Sequence, residues 1–141
     1  MPSTPTTDDF ISAIRASGGR VTAAKRLVVA ALLEGSEHLT ADALSARVQR
    51  VSPDVSTSTI YRILEEFESM NLVVHSHLGS PAAVYHVTGR PHGHLVCETC
   101  GATLEISANE FDQLVNSALR QHDFEIDRHH LALSGTCREC R

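Results

Sequence analysis

Hydrophobic residues recur every three to four positions through the first half of the chain, which is the spacing of one face of an α-helix. The clearest run begins at Ile60 and returns at positions 63, 64 and 67. Thr22 and Thr40 precede two other runs, and a short hydroxyl side chain favours the N-cap of a helix. The pattern predicts helices over residues 10–16, 23–33, 41–51, and from 56 or 57 to about 70.

The period changes from 3.6 to two after Asn71, as in a β-strand with one buried face. Residues 72–78 and 83–87 are predicted strands, and Gly79-Ser80-Pro81 between them favours a turn. Three or four short helices followed by a small hairpin are typical of a winged helix-turn-helix. We therefore assign residues 1–87 to a domain of that kind.

The rest of the chain predicts a second, smaller domain. Residues 88–91 have the composition of a linker, and residues 92–141 contain one more helical run between short strands. The predicted elements are strands over residues 94–96 and 103–106, a helix over about 109–122, and a strand over 124–133. Such a unit leaves an open sheet edge, which favours pairing with a second copy. The fold class is therefore α+β, with the winged helix followed by a small α/β dimerisation domain.

The composition argues against several classes of protein. The formal net charge of −5 argues against nucleic-acid binding by overall charge, so binding to DNA would depend on local basic residues and bound cations. No apolar run approaches the roughly 18 residues of a membrane span. The first residues lack the basic and apolar regions of a signal peptide, so we expect a cytoplasmic protein.

The four cysteines form two Cys-x-x-Cys pairs, Cys97/Cys100 and Cys137/Cys140. In a reducing cytosol such pairs indicate metal ligands or redox centres before structural disulfides. Two pairs can converge on one tetrahedral Zn²⁺, with Zn–S distances near ~2.3 Å. The alternative is a thioredoxin-like redox pair, which needs one Cys-x-x-Cys to open a helix after a strand. We predict a structural zinc site that ties the end of the chain to the start of the second domain.

Nine histidines, all at or after His38, indicate further metal binding. His92 and His94 precede the first cysteine pair, and His75 and His77 lie on a predicted strand. Alternate residues of a strand face the same way, so each pair can offer two nitrogens to one ion. Carboxylates that could complete such sites are Glu105 and Glu110. The alternative is an ordinary surface histidine, which is our interpretation of His122 at the end of a helix.

The fourth predicted helix presents polar residues opposite its apolar stripe. Ser58, Tyr61 and Arg62 are on that polar face, and hydroxyl and guanidinium groups suit phosphates and guanine edges. Arg20, Lys25 and Arg26 could add contacts to the DNA backbone. The alternative is that this is an ordinary solvated helix face.

With these residues in place, the chain resembles the ferric uptake regulator (Fur) family of bacterial metal-dependent repressors over about residues 10–140. The motifs are Arg20-Val-Thr, the run Ser56-Thr-Ser-Thr-Ile-Tyr-Arg, the segment from His92 to Gly101, and the segment from His129 to Cys140. The resemblance implies a homodimer that binds a double-stranded DNA operator. It also implies a four-cysteine zinc in the dimerisation domain and a regulatory metal at the hinge, which sets the angle between the two DNA-binding domains.

Transferred to this sequence, the resemblance implies a hinge site made by His38, His86, His92 and His94, with Glu105 as a further ligand. Members of the family carry a fuller run of histidines before the first cysteine pair, and Pro91 and Gly93 interrupt it here. The interruption removes ligands from the family's additional site in the dimerisation domain. His129 would be the remnant of that site.

An all-nitrogen hinge favours Ni²⁺ or Zn²⁺ over Fe²⁺ or Mn²⁺. The segment around His75 and His77 resembles the nickel-responsive, Nur-like branch, in which two strand histidines and one near the last cysteine pair form a nickel site. By position the third ligand would be His130. We therefore expect a repressor of metal homeostasis genes that senses nickel, with metal ions as its small-molecule ligands.

Other functions stay open at this point. Within the family, the alternatives are a zinc uptake regulator and an iron-based peroxide sensor that oxidises a hinge histidine. Outside it, a metal store or chaperone would bind metal without metal-dependent affinity for DNA. A metalloenzyme would need a motif such as His-Glu-x-x-His, which the sequence lacks, so we do not expect an enzyme.

Overall fold

The computed structural model describes residues 4–34, 39–77, 82–89, 92–128 and 131–141. It divides into two compact units. The first comprises Met1–His75 and Ala83–Arg90, and the second comprises Ser76–Ala82 and Pro91–Arg141. Among the described residues, no helix is both long and apolar enough to cross a membrane.

The first unit contains four helices. They are α1 (Thr7–Ala16), α2 (Ala23–Leu33), α3 (Ala41–Val51) and α4 (Thr57–Ser69). The bounds of α2 and α3 are as predicted, and Thr22, Thr40 and Ser56 act as the N-caps of α2, α3 and α4.

Helix α1 begins three residues before the predicted start at Phe10. The backbone N–H of Thr6 donates to the carboxylate of Asp9 at 2.7 Å, and the Thr6 hydroxyl accepts from the Asp9 N–H at 3.3 Å. The hydrogen bonds from Thr6 lower the pKa of Asp9. This first turn is polar, so hydrophobic periodicity did not indicate it.

A three-stranded sheet in the order β1-β3-β2 completes the first unit. The strands are β1 (Leu39–Thr40), β2 (Val73–Ser76) and β3 (Val84–Val87). β1 pairs antiparallel with β3 and places Leu39 opposite Tyr85. The sequence did not predict β1, because two residues show no periodicity and their strand exists only through this pairing. β2 is shorter than the predicted 72–78, and Leu78 lies outside the described residues.

The core of the first unit lies where the four helices meet. Phe10 of α1 and Phe67 of α4 are fully buried, with ring centroids 5.0 Å apart in an edge-to-face contact. Ile60 and Leu64 are also fully buried, so the apolar stripe of α4 faces inward as predicted. The opposite face of α4 is therefore left toward solvent.

The second unit contains β4 (His94–Cys97), β5 (Thr103–Glu105), α5 (Ala108–His122), β6 (Ala132–Gly135) and a 3₁₀ turn (Arg138–Cys140). β4 is the central strand, antiparallel to β5 and parallel to β6. The sheet therefore has two edge strands where one open edge was expected. Its core is small and is made by Ile106, Phe111 and Val115, with Ile126 and Leu131 packed against them.

The predicted strand over residues 124–133 is wrong over most of its length. α5 ends at His122, its C-cap Asp123 has a left-handed φ of 51°, and residues 124–128 are described without a strand. The alternation of apolar residues there has another cause, since Ile126 packs on the core from a loop. Only positions 132 and 133 of the predicted strand belong to β6.

Candidate metal centre

The four cysteines converge at one end of the sheet in the second unit. Their sulfur atoms all lie within 4.8 Å of one another, and the Sγ atoms of Cys100 and Cys137 are 3.7 Å apart. A tetrahedral zinc with Zn–S bonds of about 2.3 Å places its sulfurs about 3.8 Å apart. The four cysteines, all in the described part of the chain, form no disulfide. The donor set and its spacing therefore fit one tetrahedral metal ion.

Local backbone structure produces this convergence. Cys97 is the last residue of β4, and Cys100 lies in the turn that follows. Two hydrogen bonds of 2.9 Å close this turn: Gly101 N–H donates to Cys97 O, and Cys97 N–H donates to Ala102 O. Cys137 is the residue before the 3₁₀ turn and Cys140 is its last residue, and Cys140 N–H donates to Cys137 O at 3.1 Å. The parallel pairing of β6 with β4 sets Gly135 opposite Cys97 and so brings the second pair to the first.

Hydrogen bonds within the group shift the pKa values of Cys97 and Cys140 in opposite directions. The backbone N–H of Cys137 donates to the Sγ of Cys97 at 3.3 Å, and this bond is the main reason that the pKa of Cys97 falls to about 6. Hydrogen bonds to Cys137 and Cys100 raise the pKa of Cys140 to about 12, because they stabilise its protonated form. A metal bound here would displace the protons that the thiols hold.

The redox alternative has less support from the local structure. A thioredoxin-like pair opens a helix after a strand. The first pair instead runs from the last residue of β4 into the turn before β5, and the second runs from the residue before a three-residue 3₁₀ turn to its last residue. The arrangement of the four thiols therefore favours metal binding.

The structure brings two of the predicted hinge ligands together. His92 is half-buried and His94 is 3% exposed, and their rings lie edge to face with centroids 4.7 Å apart. Glu105 of β5 is the register partner of His94 in β4, and its side chain is exposed. Directly opposed residues of an antiparallel pair share one face of the sheet.

The remaining predicted hinge ligands are placed differently. His86 is half-buried on β3 in the first unit, and His38 lies outside the described residues. The carboxylate of Glu110 accepts hydrogen bonds from the hydroxyl and the N–H of Ser107 in the capping box of α5, so the structure shows a helix-capping role for this residue. Within the described ranges, the cysteines are the group of three or more ligand-type side chains that could hold a metal ion.

The predicted strand site is described only in part. His75 lies on β2, but that strand ends at Ser76, so the exposed His77 follows it and the alternation argument does not extend to this residue. His130, like His129, is outside the described residues.

The structure adds a neighbour that the sequence did not indicate. Nδ1 of His75 contacts Oε1 of Glu68, near the end of α4, and the ring of His75 lies 5.8 Å from that of Tyr85. Burial, followed by the charge of Glu68, raises the pKa of Tyr85. No periodicity relates a helix carboxylate to a strand histidine, so only the fold could place them together.

The predicted DNA-facing residues lie on the surface of the first unit. Ser58, Arg62 and Arg20 are exposed, and Tyr61 is 44% exposed. Lys25 differs from these residues, because it forms an ion pair within the unit. Its ammonium group lies 2.6 Å from the carboxylate of Glu66, and its side chain is only 12% exposed, so it links α2 to α4 instead.

Comparisons with known proteins agree with this architecture. The chain is 25% identical over 134 residues to the peroxide-responsive repressor PerR of Staphylococcus epidermidis, covering 95% of this chain and 89% of that protein. The Helicobacter pylori ferric uptake regulator Fur, whose structure is described as having three functional metal binding sites, superimposes with a TM-score of 0.79. It shares 21% identity, over 99% of this chain and 97% of that one.

A second solved structure, the ferric uptake regulator from Pseudomonas aeruginosa with manganese, gives a TM-score of 0.74. The identity is 25%, over 92% of this chain and 98% of that one. The predicted α+β class is thereby confirmed. The names of these similar proteins concern peroxide, iron and manganese, so they support the family and leave the nickel-responsive branch as a prediction. A model of the Ferric uptake regulator family matches residues 16–134, which is most of the chain, and the chain therefore belongs to that family.

Proposed function

We propose that this chain is a homodimeric, metal-responsive repressor that binds operator DNA through α4 and controls metal homeostasis genes, with nickel as the regulatory metal. The main support for the proposal is that one chain combines a helix with an exposed polar face and a cluster of four cysteines. A helical unit exposes Ser58, Tyr61 and Arg62, and a second unit gathers four cysteine sulfurs within 4.8 Å. A regulator of this kind works in the cytoplasm, where its operator is found.

Contact with DNA is assigned to the exposed polar face of α4. Ser58 lies in its first turn, where hydroxyl and backbone N–H groups can donate to a phosphate. Tyr61 and Arg62 follow, and the guanidinium can contact a phosphate or the O6 and N7 atoms of guanine. Arg20, exposed just before α2, would add a backbone contact.

The cysteine quartet would hold a structural zinc. Once bound, such an ion cross-links the turn after β4 to the end of the chain. This link would stabilise the unit around it, because the described residues of that unit form only a small buried cluster of Ile106, Phe111 and Val115. Cys97, Cys100, Cys137 and Cys140 therefore serve folding in this proposal, and they do not sense the signal.

Regulation is assigned to the hinge ligands His38, His86, His92 and His94, with Glu105. Imidazole nitrogens favour Ni²⁺ and Zn²⁺ over Fe²⁺ and Mn²⁺, which prefer more oxygen ligands. These proposed ligands come from both halves of the sequence, and a bound metal would take its nitrogen donors from them. A metal that binds one arrangement of the DNA-binding units more tightly shifts the population toward it. His75, His77 and His130 are the proposed ligands of a second nickel site.

The homodimer is assigned to the second unit. Leu95 of β4 is the register partner of Leu104 in β5 and of Leu133 in β6, so the three side chains form a row across one face of the sheet. They are 43%, 58% and 41% exposed. An apolar row of this kind in a unit with so small a core favours burial against a second copy.

A competition titration at buffered free metal tests the regulatory site. We expect one tightly held zinc per chain and a second equivalent that prefers Ni²⁺ over Zn²⁺, Fe²⁺ and Mn²⁺. We also expect Ni²⁺ to raise the affinity for operator DNA, measured by fluorescence anisotropy. His92→Ala should abolish that increase and leave a folded dimer, because it removes a regulatory ligand.

His122→Ala, at the exposed end of α5, is the matched control and should behave like the wild type. Intact nickel-induced binding in His92→Ala would contradict the assignment. A second equivalent filled by Zn²⁺ at far lower free concentration would make the chain a zinc sensor. A metal store would take up metal with no change in DNA affinity.

The second candidate function is an iron-based peroxide sensor, which the peroxide-responsive relative favours. In that case the iron-loaded protein would lose its operator affinity on exposure to peroxide. A hinge histidine would gain one oxygen atom, which peptide mass spectrometry would detect. The nickel proposal expects neither change.

A further inference from the structure

Gly93 separates the two histidines that the structure brings together, and its backbone is buried in the second unit. A Cβ built at this position would lie 3.0 Å from Cδ1 of Ile106 and 3.1 Å from Cδ2 of Leu131 and Cδ2 of Phe111. These separations are all shorter than ordinary carbon–carbon contacts of about 3.5–4.0 Å. The space that a side chain would need is therefore already filled from three sides.

The three side chains around Gly93 belong to the core of the second unit. Ile106 and Phe111 are buried, with Phe111 only 1% exposed, and Leu131 packs against them. The backbone is also held, because Gly93 O accepts from Ile106 N–H at 2.9 Å and His94 N–H donates to Leu131 O at 3.1 Å. The core and the sheet thus fix the main chain between the two imidazoles.

We propose that Gly93 is a positioning residue for the regulatory metal. Its missing side chain lets the core close directly on the backbone and so holds the rings of His92 and His94 edge to face. The inference rests on the proposed function, because it assigns both histidines to the regulatory site. An added methyl must move either the core side chains or the start of β4. Phe111 is enclosed, so we expect the start of β4 and both rings to move.

Gly93→Ala tests this inference. We expect its dissociation constant for Ni²⁺ to rise about tenfold, with the zinc content of the quartet unchanged. Gly135→Ala is the matched control, since it lies on the same sheet and a Cβ there meets nothing within 4 Å. The control should keep the wild-type affinity.

A second substitution separates positioning from general damage. Ile106→Val removes Cδ1, the atom that lies nearest to the added Cβ, so Gly93→Ala combined with Ile106→Val should recover most of the lost affinity. Wild-type affinity in Gly93→Ala would overturn the inference. If Gly93→Ala does not fold, the Ni²⁺ affinity of the double variant tests the inference instead. A folded double variant that still binds Ni²⁺ weakly would also overturn the inference.

A second readout needs no regulatory metal. It is the NMR signals of the His92 and His94 rings in the zinc-loaded protein without nickel. They should shift in Gly93→Ala and stay unchanged in Gly135→Ala. If the wild type takes up no second metal equivalent, the proposed function fails, and these signals still test the positioning of the two rings. Unchanged signals in Gly93→Ala would overturn the inference on their own.

Discussion

Single residues determine the backbone conformation and the exposure of the cysteine site. Gly101 follows Cys100 with a φ of 75°, a conformation that costs a residue with a side chain roughly 1 kcal/mol or more. Cys97 is buried at the end of β4, whereas Cys100 is exposed in the turn. The sulfur of Cys100 is therefore available as a metal ligand, and its side chain contributes little to core packing. This residue is the best probe of metal binding.

Cys100→Ser should reduce the zinc content from about one ion per chain to nearly none and lower the melting temperature of the second unit. The substitution removes a thiolate ligand and little packing, since the side chain is exposed. Zinc released under denaturing conditions and bound by a chromogenic chelator gives the content. Thr99→Ser in the same turn is the control and should retain its zinc. Full zinc content in Cys100→Ser would exclude the quartet as the site.

At the scale of one element, α4 joins the core to the surface that we assign to DNA. Its apolar stripe fills the centre of the first unit, and the Lys25–Glu66 ion pair ties it to α2. Ser56 caps its first turn, with its hydroxyl accepting from the N–H of Thr59 at 3.2 Å. These contacts hold the exposed Tyr61 and Arg62 on a fixed helix, so their contribution to binding can be measured by substitution.

Arg62→Ala should weaken operator binding by about 1–3 kcal/mol if the guanidinium contacts a base. A phosphate contact would instead lower the salt dependence of the binding constant by about one unit and weaken all DNA sequences alike. Anisotropy titrations over a range of salt concentrations separate the two. Arg15→Ala, an exposed arginine on α1, is the control. Unchanged affinity and salt dependence in Arg62→Ala would remove α4 from the interface.

At the scale of the whole molecule, the two units differ in how well they bury their apolar residues. The first has a continuous core to which all four helices contribute buried side chains. The buried cluster among the described residues of the second is much smaller, and Leu95, Leu104 and Leu133 are exposed on one sheet face. We expect a second copy of the chain to cover this row.

Leu104→Asp should convert the zinc-loaded dimer into a monomer. Completing the burial of a half-exposed leucine stabilises by about 1 kcal/mol, and a carboxylate enclosed there costs several. Sedimentation velocity measures the change in mass. Val51→Asp is the control, because Val51 is 71% exposed in the first unit and should leave the dimer intact. A dimeric Leu104→Asp would place the dimer interface elsewhere.

Prediction from the sequence succeeded where a signal is local. The bounds of α2 and α3 and the caps Thr22, Thr40 and Ser56 follow from periodicity and from the chemistry of the helix ends. It failed where partners are distant in the chain. β1 needs β3 to exist, Ile126 alternates like a strand yet packs from a loop, and Lys25 contacts Glu66 across 41 positions.

The sequence by itself determined the types of ligand available, because two Cys-x-x-Cys pairs and paired histidines are chemical facts of the chain. It also determined the helices apart from the first turn of α1, since a helix hydrogen-bonds within its own segment. Only the tertiary structure decided that β6 lies parallel to β4 and so brings Cys137 to Cys97, and that the core closes over Gly93. Both depend on contacts between residues far apart in the sequence, where no local periodicity carries information.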